Sequence, residues 1–305
     1  MRTLQEADLP EAKRIFHLAF GTFLGLPDPM QFASDRDYVR GRYHANREGA
    51  LGAEAGGELV GSNFVTRWGS VGFFGPLTIR PDFWDRGVAR RLLEPTMQLF
   101  EQWQTRHVGL FTFPHSAKHL HLYQKFGFWP RFLTAVMSAA VHPLEQTATS
   151  AVYSELTDSR QAECLKACRE LTDAIFEGLD LQPEIRTVAE QKLGDTVFVW
   201  DDSRLVGFAV CHCGPGTEAG EGRCHVNFGA ARAAEAFERL LDACKIFARR
   251  RGLLRLGAGV NLAREDAYQR MLARGFRTDI LGVAMHKPNE PGYSRPDAYV
   301  MDDWR

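Results

Sequence analysis

No cysteine precedes Cys164 in this 305-residue chain. That excludes a cysteine-bound covalent intermediate for any chemistry housed in the first half. All six cysteines fall later, at 164, 168, 211, 213, 224 and 244. Their spread is not that of a disulfide framework, so they read as reduced, buried thiols. Cys211, Cys213, Cys224 and His225 lack the spacing of a zinc knuckle, and no metal site is expected. An excess of one charge is missing as well. Lys plus Arg number 37 and Asp plus Glu 38, a formal net charge of −1, which gives no bulk attraction to nucleic acid or anionic lipid. No apolar run reaches the roughly 20 residues of a membrane-spanning helix. The opening "MRTLQEADLPEAKRIF" meets charge too early for a secretory h-region, so a cytoplasmic location is expected.

The chain says one thing twice. Leu59-Val60-Gly61 recurs as Leu205-Val206-Gly207 at an offset of 146. Leu92-Leu93 recurs as Leu240-Leu241, and Gly127-Phe128 as Gly275-Phe276, both at 148. Three landmarks in one order at nearly one offset imply a duplicated domain. Each half opens with a helix, "EADLPEAKRIFHLAF" or "TDSRQAECLKACRELTDAIF", in which Leu9, Ala12, Ile15, Phe16 and Ala19 keep helical spacing. A hairpin follows, turning at "EAGGE" in the first half and at "DDS" in the second. Then come a strand ("FFGPLTI"), a long helix, a strand ("HVGLFTF"), a helix ("SAKHLHLYQKF") and a closing strand from Phe128. This predicts an α/β fold with a mixed sheet, in domains 1–145 and 146–305, joined by the polar stretch 141–154.

The stretch "IRPDFWDRGVARRLLEP", residues 79–95, places Gly87 and Ala89 where a helix begins, although glycine there costs helix stability. A strand end, a glycine turn and a helix N-terminus together make an anion cradle of backbone N–H groups and helix dipole. Glycine lets a phosphate approach the backbone, and Arg86, Arg90 and Arg91 add permanent charge. A plain capped helix is the alternative reading of the same residues.

Further along, "SAKHLHLYQKFGF" completes a pattern. The two segments resemble the signatures of the GNAT superfamily of N-acetyltransferases, Arg/Gln-x-x-Gly-x-Gly/Ala and Asn-x-x-Ala-x-x-Leu-Tyr-x-x-x-Gly-Phe. Here Trp84, Ser116 and His119 stand in place of the family's Arg/Gln, Asn and Ala. The resemblance implies two tandem GNAT-like domains, the second a degenerate copy. It further implies that Arg86, Gly87, Val88, Ala89 and Arg90 bind the pyrophosphate of acetyl-CoA, the cosubstrate. Leu77, Thr78 and Ile79 would pair with the pantetheine amides, Ser116 would join the cofactor site, and Tyr123 would protonate the departing thiolate. Asp85 is expected to face away from the phosphates.

With no cysteine in the first half, direct attack by an amine on the thioester in a ternary complex is the expected route. The base stays open among His107, His115, His119 and His121, which serve equally well as packing or solvated residues. His115 and His119, four apart, are expected on one helix face. The acceptor, a small-molecule or peptide amine, is expected to meet the segment "GTFLGLPDPMQF", residues 21–32, after the first helix. No nucleic-acid or membrane partner is expected, and oligomeric state stays open. The alternative function is a non-catalytic CoA-binding or small-molecule-sensing module. In the second half, positions 86–89 map at offset 148 onto Ala234, Glu235, Ala236 and Phe237, so cofactor binding there is expected to be lost. The half would then serve as a wall of the acceptor site, with the tail "PNEPGYSRPDAYVMDDWR" lying over a neighbouring surface.

Overall fold

The computed structural model describes residues 1–142 and 150–305. The expected boundary between residues 145 and 146 and the middle of the polar linker lie outside the described residues. The first half contributes β1 (Arg2–Thr3), α1 (Leu9–Phe23), α2 (Arg40–Ala45), β2 (Ala50–Ala55), β3 (Glu58–Trp68), β4 (Val71–Phe74), β5 (Thr78–Ile79), α3 (Val88–Gln102), β6 (His107–Thr112), α4 (Ala117–Gln124) and β7 (Trp129–Ala140). The second contributes β8 (Ser150–Val152), α5 (Asp158–Ile175), α6 (Gln182–Glu190), β9 (Gly194–Asp201), β10 (Arg204–Cys213), β11 (Arg223–Ala231), α7 (Ala234–Arg250), β12 (Arg255–Asn261), α8 (Glu265–Ala273), β13 (Arg277–Lys287) and β14 (Tyr299–Met301). The duplicated order is α/β with a mixed sheet, as the offsets predict.

The apolar stripe of α1 is its core face. Leu9, Ala12, Ile15 and Phe16 pack with Tyr38, Tyr43 and Phe64. Pro10 sits in the first turn, where its missing N–H costs nothing, and the helix runs on to Phe23. It therefore takes in the start of the 21–32 segment expected to follow it. Two helices escaped the sequence reading: α2, only six residues long, and α6, which opens with Pro183 in its first turn.

One sheet of fourteen strands runs through both halves, in the order β1-β2-β3-β4-β6-β13-β7-β12-β11-β10-β9-β8, with β5 on β3 and β14 on β11. The halves exchange their closing strands. β13 of the second half lies between β6 and β7, and β7 of the first lies between β13 and β12. The pairing repeats under the offset: Val108 faces Lys287, and their counterparts Leu256 and Ala139 face each other in turn. Side chains follow the exchange. Ala135, Met137 and Ala139 of β7 are buried in the core of the second half, and Met285 of β13 in that of the first.

The expected single strand "FFGPLTI" is two short strands. β3 covers Val65 to Ser62 in three steps while the facing chain takes four, Phe74 to Thr78. The extra residue is a bulge containing Pro76, which has no N–H for a ladder. Leu77 thus falls in the bulge, not on a strand.

Candidate active site

β4 and β6 are parallel neighbours only from Val71 to Phe73 and from His107 to Gly109. Beyond that point they part. β5 pairs with β3 on one side and, among the described residues, with no strand on the other. From β5 the chain makes a short turn and enters α3. Trp84 donates its indole N–H to the carbonyl of Ile79 at 2.7 Å, folding the turn back on β5. The residue replacing the family's Arg or Gln is thereby a structural brace. The guanidinium groups of Arg80 and Arg86 lie 4.7 and 4.9 Å from the centre of the Phe83 ring.

Gly87 is the N-cap of α3, with φ +72° in the left-handed region, and a Cβ built there would meet nothing within 4 Å. The turn therefore needs glycine for its backbone conformation, and its outer face is open. No side chain caps this end, so the first-turn N–H groups at Val88, Ala89 and Arg90 have no intrahelical acceptor. Asp85, also left-handed at φ +61°, forms an ion pair with Lys118 of α4 at 2.5 Å. This exposed pair spans from the turn to the helix that carries Tyr123.

Tyr123 is buried, and its ring centre lies 5.7 Å from that of Phe74, at the point where β4 and β6 part. Burial pushes its phenol up, so it is protonated at neutral pH. Ser116 caps α4, its hydroxyl accepting from the N–H of His119 at 3.4 Å. His115 precedes α4 and does not share its face, because Ser116 is the cap. Instead His115 and His119 both lie against Phe23 at the end of α1, ring centres 5.8 and 5.0 Å away. Burial, then the charges of Lys118 and His115, hold His119 below its ordinary value. His107 stands apart from this cluster. It is buried against His286 of β13 at 3.1 Å, where the exchanged strand meets β6. Burial lowers it to about 4 and His286 to about 3.

The corresponding place in the second half is closed. β11 reaches α7 through Arg232 and Ala233 alone, without a glycine turn. Phe237 is fully buried and lies 5.8 Å, ring to ring, from Tyr299. β11 and β12 pair from Arg223 to Val226, and where they part β14 enters, pairing Gly229 with Met301 and Ala231 with Tyr299. Three residues of the tail expected to lie over a neighbouring surface, Tyr299–Met301, therefore form a strand, placed on the edge that β5 leaves free in the first half. Cys213 and Cys224 stand 3.9 Å apart, sulfur to sulfur, and unbridged. Among the described residues no group of His, Cys, Asp and Glu is arranged to hold a metal ion, and no helix is long and apolar enough to cross a membrane.

A cavity of about 320 Å³ lies between the halves. Its walls come from α2, α6, β3, β10, β11 and the tail, with Phe73 of β4. None of residues 21–32 lines it, so the segment expected to shape an acceptor pocket borders the His115–His119 cluster instead.

Residues 13–128 match the model of the acetyltransferase (GNAT) family. No curated protein matches the sequence. Among solved structures, a putative acetyltransferase from Pyrococcus horikoshii superposes with a TM-score of 0.72 at 13% identity, over 99% of this chain and 94% of that one. A GCN5-related N-acetyltransferase from Sphaerobacter thermophilus gives 0.58 at 15% identity, over 94% of each chain. One from Kribbella flavida gives 0.53 at 16%, over 93% of this chain and 69% of that one. At these identities the likeness is one of fold, and in all three it extends over both halves of this chain.

Proposed function

We propose that this chain, which carries a GNAT-family acetyltransferase domain over residues 13–128, moves an acetyl group from acetyl-CoA to an amine acceptor by direct attack in a ternary complex. The observation that carries the reading is the exposed, uncapped first turn of α3 behind a left-handed Gly87, next to the free edge of β5. The amides of Gly87, Val88, Ala89 and Arg90, with Arg86 beside them, receive the pyrophosphate. Thr78 and Ile79 offer their free edge to the pantetheine amides, with Leu77 in the bulge as the last contact. A cytoplasmic location fits a cosubstrate of this kind.

Binding is expected once per chain, because β14 occupies the equivalent edge of the second half. Titration calorimetry with acetyl-CoA tests this. Gly87→Glu forces a left-handed side chain and sets a carboxylate against the phosphates. Strain of about 1–2 kcal/mol with repulsion of similar size predicts at least a tenfold loss of affinity. Unchanged affinity in this variant would remove the cradle from the site.

Tyr123 then donates toward the sulfur as the thioester opens. A phenol held protonated by burial suits that role, and a thiolate needs only modest help to leave. Tyr123→Phe is expected to lower kcat by about 10- to 100-fold while leaving acetyl-CoA affinity within twofold. Steady-state rates with any accepted amine check it, and an unchanged kcat takes Tyr123 out of the chemistry. Acetyl-CoA binding without turnover on any amine would favour a sensing module.

A further inference from the structure

The cavity between the halves has a particular imbalance in its wall. Its two buried cations, Arg42 and Arg305, are held by protein partners. Arg42 is engaged at all three nitrogens: Nε and Nη2 donate to the two oxygens of Glu218 at 2.6 and 2.8 Å, Nη1 to the carbonyl of Gly75 at 2.5 Å, and Nη2 also to that of Arg305. Arg305 donates to Asp303 Oδ1, to Tyr38 and to His225. Arg67, the third cation of the wall, is exposed and donates to the carbonyl of Gly69.

Among the buried groups of the wall, what remains unpaired is mostly acceptor. Asp303 is 8% exposed and its Oδ2 has no hydrogen-bond partner. Asn227 Oδ1 has none either. Glu184 of α6 receives one long bond, from the Trp68 indole at 3.4 Å, and burial with the nearby Glu218 raises its pKa against the opposing pull of Trp68, Arg42 and Asn227. His212, 4% exposed, meets the Asn227 amide through Nε2 at 3.2 Å, and its Nδ1 is unpartnered. Leaving several such groups unpaired is costly, which points to an absent ligand that pairs them. Trp68, Trp103 and Trp304 line the same space, and indole faces attract cations.

We propose that this cavity is a binding site for a compact cationic amine, and that in the transfer reaction it holds the acceptor. The second clause rests on the acetyltransferase reading; the first does not. A volume of about 320 Å³ fits a small molecule and excludes a folded peptide segment. The site adjoins the parting of β4 and β6: Phe73 lines it, and Arg42 in its wall holds the Gly75 carbonyl. Phe73 and Phe74 point to opposite faces of β4, the first into the core that contains Trp68, the second toward Tyr123. The amine therefore reaches the gap from the face opposite α3 and α4.

The test uses the full chain without cofactor and three probes of one chain length: putrescine, 1,4-butanediol and succinate. Calorimetry is expected to show saturable binding of putrescine, at least tenfold tighter than of the other two. Glu184→Gln should weaken putrescine at least tenfold and leave acetyl-CoA affinity unchanged. Absence of putrescine binding at millimolar concentration, equal binding of succinate, or no effect of Glu184→Gln in a normally melting variant overturns the proposal. The three-probe comparison on the unaltered chain stands even where that variant melts early. Acetyl-CoA titrated into the same samples separates the two readings. Putrescine binding without acetyl-CoA binding sinks the transferase and keeps the cavity, and the reverse result sinks the cavity alone.

Discussion

Residues 150–305 expressed without the first half are expected to show no cooperative thermal unfolding, and residues 1–142 alone are expected to fail likewise. The reason lies in the exchanged strands. Without β7, β12 loses a partner along seven residues, Arg255 to Asn261, and the core around Leu256 and Ala258 loses Ala135, Met137 and Ala139. β13 would have neither neighbour, since it pairs with β6 on one side and β7 on the other. An eleven-residue strand with two bare edges is an aggregation template rather than a folded element. Co-expression of the two pieces is expected to restore a soluble complex with a single melt, read by near-ultraviolet circular dichroism. A cooperative melt of either piece alone, near the temperature of the whole chain, would show that the exchange is not what holds the halves. The consequence for function is direct. The cavity has walls from both halves, so it exists only where the seam between them is closed.

That seam could not be read from the sequence. The repeat offset tells which elements correspond, and α4 with α8 and β7 with β13 obey it. It does not tell which copy of β6 a closing strand joins. β7 and β13 occupy matching places in the repeat, and a strand's own pattern fixes which face is buried, not its partner. His107 was misplaced for the same reason: its neighbour His286 is 179 residues away. The turn at Gly87 was legible because its signal is local, a glycine set between the end of a strand and the start of a helix. The split of "FFGPLTI" was equally local, since Pro76 cannot donate to a ladder, yet the run of apolar residues masked it. The cavity has no local signal. Arg42, Glu184, His212, Asn227 and Asp303 stand on five separate segments, and α2 and α6, which supply the first two, are too short for periodicity to declare them.

Arg264→Ala is expected to destabilise the protein by about 3–5 kcal/mol and lower its melting temperature by on the order of 10 °C. Arg264 stands at the N-cap of α8, where the repeat places the counterpart of Ser116, and is 1% exposed. It donates to Asp302 at 2.7 Å, to the carbonyl of Val300 at 3.0 Å and to Ser294 at 3.2 Å, and its guanidinium lies 4.9 Å from the centre of the Tyr293 ring. Tyr293 donates in turn to Asp302 and accepts from the Trp304 indole. The position that in the first half caps a helix beside the proposed cofactor site is, in the second, the anchor of the tail that fills the equivalent gap. Alanine there leaves the Asp302 carboxylate buried without its cation, the costly way to break such a pair. The double variant Arg264→Met with Asp302→Leu removes both charges and is expected to recover at least half of the loss. Arg264 does not line the cavity, but Asp303, Trp304 and Arg305 do. Arg264→Ala should therefore also weaken putrescine binding, and the double variant should regain it in step with stability. A single variant that melts within a degree of the unaltered chain would mean that the tail is held by β14 pairing alone. Stability recovered without recovered putrescine binding would separate the anchor from the cavity wall.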